Sequence, residues 1–168
     1  MKLDYCYKLN KGYDISLDQS YFAEEFVPWY TNRISSKQKS FQELQLHHYS
    51  WPDVRKHLKS DNNFHKKLRS TVDAITHNIS TRILGEINLK DIDNFVFIGA
   101  SKTAKGFSWH KDDYHIIAVN IIGHTIWEFE NGVTIEMQEG DVLYSPKGLM
   151  HRVKNVTGYR LTVSNIYR

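Results

Sequence analysis

Apolar residues recur at two different periods along the chain, and the change falls near residue 94. Upstream, Phe64, Leu68, Val72, Ile75, Ile79 and Ile83 follow one another at steps of three or four. That spacing lines one face of a helix, because side chains three and four apart stand on the same side of a 3.6-residue turn. Asp61 reads as its N-cap and Gly85 as its stop. Ser50-Trp51-Pro52-Asp53 reads as a cap followed by proline in the first turn, opening a short helix to about Leu58. Apolar spacing from Asp18 to about Arg33 predicts a third helix, which Pro28 must kink or end. The alternation Leu3-Tyr5-Tyr7 predicts an edge strand.

Downstream the period falls to two. Strands are predicted at Phe95–Ser101, Gly106–His110, His115–Ile122, Thr125–Glu130, Val133–Gln138, Asp141–Ser145, His151–Val156 and Tyr159–Tyr167. Glycine marks the same change: Gly12 and Gly85 are the only two before Phe97, and seven follow from Gly99 onward. Asn131-Gly132 predicts a two-residue hairpin turn, since both residues tolerate positive φ. Ile116–Ile122 is apolar on both faces except at Asn120, which places it between a barrel interior and packed helices. Eight short strands predict a mainly β fold with helices, a small barrel or jelly roll. Residues 1–94 are expected to form a helical buttress with an edge strand, and 95–168 the β core, of one domain.

Composition narrows the setting. Of 168 residues, 40% are hydrophobic and 24% charged, which excludes wholesale disorder. No apolar run approaches the roughly 18 residues of a membrane span, and the N-terminus lacks the apolar core of a signal peptide. Cys6 is the single cysteine, which excludes an internal disulfide and a cysteine-based zinc site. A cytoplasmic protein that contacts no membrane is expected. The net charge of +3 is too small to argue for a nucleic-acid partner. Arg55, Lys56, Lys59, Lys66, Lys67 and Arg69 read as the solvated face of two helices. His47, His48, His57, His65 and His77 show no convergent spacing, and His115 and His124 read as packing or surface residues.

Two short segments carry chemistry. His110-Lys111-Asp112 follows a predicted strand, where side chains two apart can converge on one ion. Gly140 through Asn155 fits Gly-x5-Pro-x-Gly-x2-His-x3-Asn at every defined position and so resembles the second cupin motif. Its physics is a strand, a tight Pro-x-Gly turn, and a strand that opens by aiming His151 into the barrel. Together His110, Asp112 and His151 form a two-histidine, one-carboxylate set, the arrangement of non-haem Fe(II) oxygenases.

The stretch from Trp109-His110-Lys111-Asp112 through Asn120, Gly123 and Trp127 resembles the JmjC-type cupins, particularly the ribosomal-oxygenase group. The resemblance implies a double-stranded β-helix (the cupin jelly roll) and an Fe(II)- and 2-oxoglutarate-dependent hydroxylase. It implies Fe(II) at His110, Asp112 and His151, with 2-oxoglutarate and O2 as cosubstrates. Thr125 stands where that family usually places a basic residue for the far carboxylate of 2-oxoglutarate. Arg160, nine residues after His151 and followed by Thr162, resembles instead the basic position of the prolyl-hydroxylase subgroup. Asn120 resembles an amide that hydrogen-bonds the cosubstrate, and Thr125 could add a hydroxyl.

Strand alternation bears on Arg160 independently. Arg160, Thr162 and Ser164 share one strand face, and if that face looks inward the guanidinium needs a counter-charge, which a dicarboxylate would supply in bidentate fashion. Trp109 and Tyr114 flank the His-x-Asp element, either lining its mouth or packing. The short hairpin predicts a comparatively open site, which favours a protein or peptide substrate over a small molecule. Two other functions compete: a cupin metalloenzyme acting on a small molecule without 2-oxoglutarate, and a non-catalytic cupin that binds a ligand or partner.

Overall fold

The computed structural model describes residues 7–9, 15–29, 46–79, 91–100, 106–156 and 158–168. In chain order these form β1 (Tyr7–Leu9), α1 (Gln19–Tyr21) running into a π-helical turn (Phe22–Phe26), β2 (Leu46–Ser50), α2 (Trp51–His57) and α3 (Asn63–Asn78). Then follow β3 (Asp91–Ala100), β4 (His115–Ile122), β5 (Thr125–Phe129), β6 (Thr134–Met137), β7 (Val142–Ser145), β8 (His151–Asn155) and β9 (Tyr159–Tyr167). No described helix is long and apolar enough to cross a membrane.

The strands form two antiparallel sheets, one of six in the order β1-β7-β4-β9-β3-β2 and one of three in the order β6-β5-β8. They face one another as a jelly roll. Strand alternation divides the apolar residues between two cores. On the outer face of the large sheet, Val96, Ile98, Ile117, Val119, Ile121, Leu161 and Val163 pack against Phe22, Phe26, Leu68, Val72 and Ile75 of the helices. Between the sheets, Ile116, Ala118, Trp127, Phe129, Met137, Leu143 and Val153 form the inner core. β4 feeds both cores, and all its residues after His115 are buried. That is why its sequence is a continuous apolar run rather than an alternating one. Each fully buried aliphatic side chain stabilises this arrangement by roughly 1.5–3 kcal/mol.

The helices begin close to where the pattern places them. Ser50 caps α2, its Oγ accepting from Asp53 N, with Pro52 in the first turn. α3 is capped by Asn62 rather than Asp61: the Asn62 Oδ1 accepts from His65 N at 3.0 Å. Helical geometry runs through Pro28 to residue 29, since a proline in that position disrupts only bonds to the preceding turn. Ile83, Gly85, Leu3 and Tyr5 lie outside the described residues.

Two expectations need correction, Gly106–His110 as a strand and the two-residue hairpin, and one strand, β2, was not expected. Gly106–His110 forms no strand; it pairs with β8 through one bridge, His110 opposite His151. β2 carries His47, His48 and Tyr49, which lack a strand's alternation, and it pairs along the edge of β3. The hairpin between β5 and β6 has a three-residue loop, not two. Gly132 N donates to Phe129 O, Phe129 N to Val133 O, and Gly132 takes φ +83°. A β-turn closed by one left-handed glycine is the usual three-residue solution.

Candidate functional site

The pairing of His110 with His151 builds the site. His110 N donates to His151 O at 3.0 Å, and His151 N donates to His110 O at 2.8 Å. Residues directly opposite in an antiparallel pair point to one face, so the two imidazoles share a face, with ring centroids 4.5 Å apart. Asp112, two residues on, returns its Oδ2 to 3.5 Å from His151 Nε2 and 3.9 Å from His110 Nε2. Gly106 permits the close approach of this segment to β8: a Cβ there would sit 1.4 Å from the Val153 carbonyl oxygen.

Hydrogen bonding decides what the three groups offer. His110 Nδ1 lies 2.7 Å from Ser108 O, and His151 Nδ1 lies 3.0 Å from Leu149 O. A carbonyl oxygen only accepts, so each Nδ1 carries a proton and each ring turns its Nε2 to the centre. Burial holds the His151 imidazole below its ordinary range, which keeps it neutral. Asp112 Oδ2 is buried with no hydrogen-bond partner. One ligand atom from each of the three side chains thus lies within 4.8 Å of the others. They repel unless a cation stands between them, so the cluster fits a metal ion. Ligand atoms around bonds of about 2.1 Å lie roughly 3.0–3.4 Å apart, so the two carboxylate contacts at 3.5 and 3.9 Å would draw in by about 0.1–0.9 Å to hold an ion. The Tyr114 hydroxyl donates to the Asp112 carboxyl; burial first, then the Asp112 charge, push its pKa up to about 12 and keep it a donor.

A cavity of about 220 Å³ opens beside the cluster, walled by Phe95, Phe97, Phe107, Tyr114, Ile116, Trp127, Val153, Ser164 and Ile166. Trp127 stacks on the His151 ring (5.2 Å, 22°), and its Nε1 is buried without a partner. Trp109 lies outside the wall, 43% exposed with the Arg152 guanidinium over its ring.

Deeper between the sheets lies a second polar cluster, made of the four residues expected to hold a cosubstrate. Arg160 Nε donates to Thr162 Oγ1 (2.8 Å), and Thr162 Oγ1 donates to Asn120 Oδ1 (2.7 Å). Asn120 Nδ2 donates to Gly123 O, Met137 O and Thr125 Oγ1. Register explains the assembly: Asn120 faces Thr162 across β4 and β9, and Phe97 faces Thr162 across β3 and β9. Asn120 and Thr125 are thus engaged with protein atoms rather than turned toward a ligand. Arg160 is different. Its side chain is fully buried, Nη1 has no acceptor, and no carboxylate pairs with it among the described residues. Burial pushes its pKa down to about 9, so the cation persists at neutral pH at an electrostatic cost. None of the four residues lines the cavity. Phe97 does, and the guanidinium lies 5.3 Å from its ring centroid.

Sequence reasoning missed Phe95, Phe97, Phe107 and Trp127 as cavity wall. Alternation along β3 and β5 was the available signal, since their inward positions are 95, 97 and 127.

His115 Nδ1 meets the Tyr144 hydroxyl at 2.7 Å, and His124 Nε2 lies 3.6 Å from Glu136.

The AraC-like ligand binding domain family matches residues 94–167. No curated protein matches the sequence. Among solved structures, YcfD, a ribosomal oxygenase from Escherichia coli in complex with cobalt and 2-oxoglutarate, aligns with 99% of this chain and 48% of its own, with a TM-score of 0.58 and 16% identity. The same oxygenase with cobalt and succinic acid aligns over 55% of this chain and 28% of its own (TM-score 0.46, 19% identity). The DMSP lyase DddQ from Ruegeria pomeroyi DSS-3 aligns over 45% and 38% (TM-score 0.41, 13% identity). The chain spans about half the length of the oxygenase with 2-oxoglutarate, over which nearly all of it aligns. Two facing antiparallel sheets with this strand order, and likeness at full coverage, give the chain the cupin jelly-roll fold, with a His–Asp–His cluster able to hold a metal at one end.

Proposed function

We propose that the chain is an Fe(II)- and 2-oxoglutarate-dependent oxygenase that hydroxylates a C–H bond on a protein or peptide side chain. The observation that carries this reading is the Arg160 guanidinium, buried between the sheets with an unpartnered Nη1 and no carboxylate beside it. A buried cation without a counter-charge is costly unless a ligand supplies one. A dicarboxylate that chelates the metal at one end and meets the guanidinium at the other does so.

His110, Asp112 and His151 would hold the iron, which with 2-oxoglutarate and O2 supplies the oxidising chemistry. The chain's own residues do the rest. Ser108 O and Leu149 O fix both histidine tautomers and turn each Nε2 inward. Tyr114 steadies the Asp112 carboxylate. Thr162 holds the Arg160 Nε, and Asn120 holds Thr162, so the guanidinium is set before any ligand arrives. The aromatic side chains Phe95, Phe97, Phe107 and Trp127 give the cavity an apolar wall. The short β5–β6 loop, with exposed Trp109 and Met150 beside the two histidines, favours a polypeptide substrate.

A second reading draws on the cavity itself, whose wall omits Arg160. It takes the chain as a metal-dependent cupin acting on a small molecule without 2-oxoglutarate. Anaerobic Fe(II) titration followed by 2-oxoglutarate separates the two. The oxygenase gives a saturable visible charge-transfer band and, in air, succinate release stimulated by a peptide from a candidate panel. A loaded metal with neither band nor succinate contradicts it.

A further inference from the structure

The cavity beside the three metal-binding candidates has a volume of about 220 Å³. Pockets that take a whole drug-sized molecule run to roughly 300–1,000 Å³, so this one suits a single side chain or a small acid. Register builds its wall from facing pairs. Ile116 stands opposite Ile166 across β4 and β9, Trp127 opposite Val153 across β5 and β8, and Phe95 opposite Ser164 across β3 and β9. The apolar wall runs directly into the metal-binding end. Trp127 stacks on the His151 ring (5.2 Å, 22°), and Phe107 lies against the His110 ring (5.8 Å).

Polar groups are few on that wall. Beyond His110, Asp112 and His151 it carries Tyr114, already engaged with Asp112, and the Ser164 hydroxyl. The Trp127 N–H, buried without a partner, adds one donor at most. No lysine, arginine or glutamate lines the cavity among the described residues, and Arg160 is not part of it. A charged side chain placed there would lose its water with no counter-charge to replace it, because a bound metal takes up the charge of Asp112. An amide would need more partners than one hydroxyl and one indole supply. An apolar side chain meets neither difficulty and gains affinity with each methylene it buries.

Resting on the oxygenase reading, we propose that the group hydroxylated is an apolar side chain of a polypeptide, aliphatic or aromatic and no larger than phenylalanine, seated in this cavity. Its C–H bond lies beside the metal, and the far carboxylate of the cosubstrate lies elsewhere, since Arg160 is outside the wall. The C–H becomes C–OH with one atom of O2, and the other atom leaves in succinate. O2 takes up two electrons from the C–H bond and two from 2-oxoglutarate, which loses CO2.

The first probe is a series of straight-chain monocarboxylates, acetate to hexanoate, titrated into the Co(II)-loaded protein and followed by the visible absorption of the metal. Affinity should rise about fourfold per methylene while the chain fills the cavity. Hexanoate should bind at least about tenfold more tightly than 5-aminopentanoate, its isostere with a charged end. In Val153→Phe, which narrows the cavity, the rise should stop at a shorter chain with Co(II) still bound. A flat series, or equal binding of hexanoate and 5-aminopentanoate, would overturn the proposal. The second probe compares N-acetyl-leucinamide with its near-isostere N-acetyl-asparaginamide as stimulants of succinate release from 2-oxoglutarate by the Fe(II)-loaded protein. The leucine amide should stimulate at least threefold more. Equal release with the two amides, in a protein that binds 2-oxoglutarate, would overturn the proposal and leave the oxygenase reading intact. A rising acid series in a protein that ignores 2-oxoglutarate would leave the apolar site standing, and the oxygenase reading would fall together with the hydroxylation.

Discussion

The two polar clusters of the barrel fail in opposite ways to close their hydrogen-bond accounts. At the His110 end, two imidazole Nε2 atoms and a carboxylate oxygen face one another, and the carboxylate oxygen has no hydrogen-bond partner. At the Arg160 end every oxygen in the chain of contacts finds a donor, and what remains over is a cation. One end lacks positive charge and the other lacks negative charge. Native interiors match nearly all their buried polar groups, so a surplus of one sign marks where the protein expects a ligand. Within the second cluster the contrast is local: each polar atom of the Asn120 amide is answered by protein, whereas Arg160 Nη1 is not.

The sharpest way to break this comparison is to remove a member of the first cluster. Asp112→Ala should weaken binding of Co(II), a probe for the iron, by at least about a hundredfold in a competition titration. Asp112→Asn, which can donate to an imidazole, should leave the metal-free protein at least as stable as the wild type. A metal-free protein destabilised by Asp112→Asn would contradict the mutual repulsion of the three groups.

Arg160→Met tests the second cluster by its sign. Replacing an uncompensated buried charge with an apolar side chain should raise the unfolding free energy by about 1–3 kcal/mol in denaturant melts. A loss of stability would mean that the guanidinium is paired. Thr162→Val sharpens the contrast in the other direction. It strips partners from both Arg160 Nε and Asn120 Oδ1, so stability should fall by roughly 1–3 kcal/mol.

The smallest effect concerns a buried histidine whose account does close. His65 Nδ1 accepts from Lys59 N at 3.1 Å, and burial first, then the Lys59 charge, lower its pKa. The unfolded chain takes up a proton near pH 6.5 while the folded form resists it. Stability is therefore full above that pH and falls as the solution is acidified toward the folded value. His65→Gln should flatten the slope below pH 6.5 by at most about 1.4 kcal/mol per pH unit. An unchanged slope would remove His65 from the acid response.

How legible this was in the chain depended on how local each signal is. The bounds of β4 and β9 were readable to the residue, because apolar β-rich runs between turn signals mark a strand, but the burial of the polar face of β9 was not, since alternation there predicts only that Arg160, Thr162 and Ser164 share a side. The three metal-binding candidates were readable because two short motifs fix their own turn geometry. β2 was not, since His47 and His48 owe their place to pairing with Phe97 and Ile98, far along the chain. The segment 106–110 looked like a strand because its composition suits one, yet only His110 makes the bridge to β8. Arg160, Thr162, Asn120 and Thr125 could be read as four residues with polar roles, but not as one chain of hydrogen bonds. That chain exists only once β4 and β9 pair in register.

The most direct measurement of the central claim is the affinity of 2-oxoglutarate for anaerobic Fe(II)-loaded protein, wild type against Arg160→Met, by equilibrium dialysis. The account predicts that the metal is retained in both and that 2-oxoglutarate binds the variant at least about thirtyfold more weakly, as expected for loss of a buried charge pair worth roughly 2–5 kcal/mol. Equal affinity in the two proteins, with the metal in place, would contradict it.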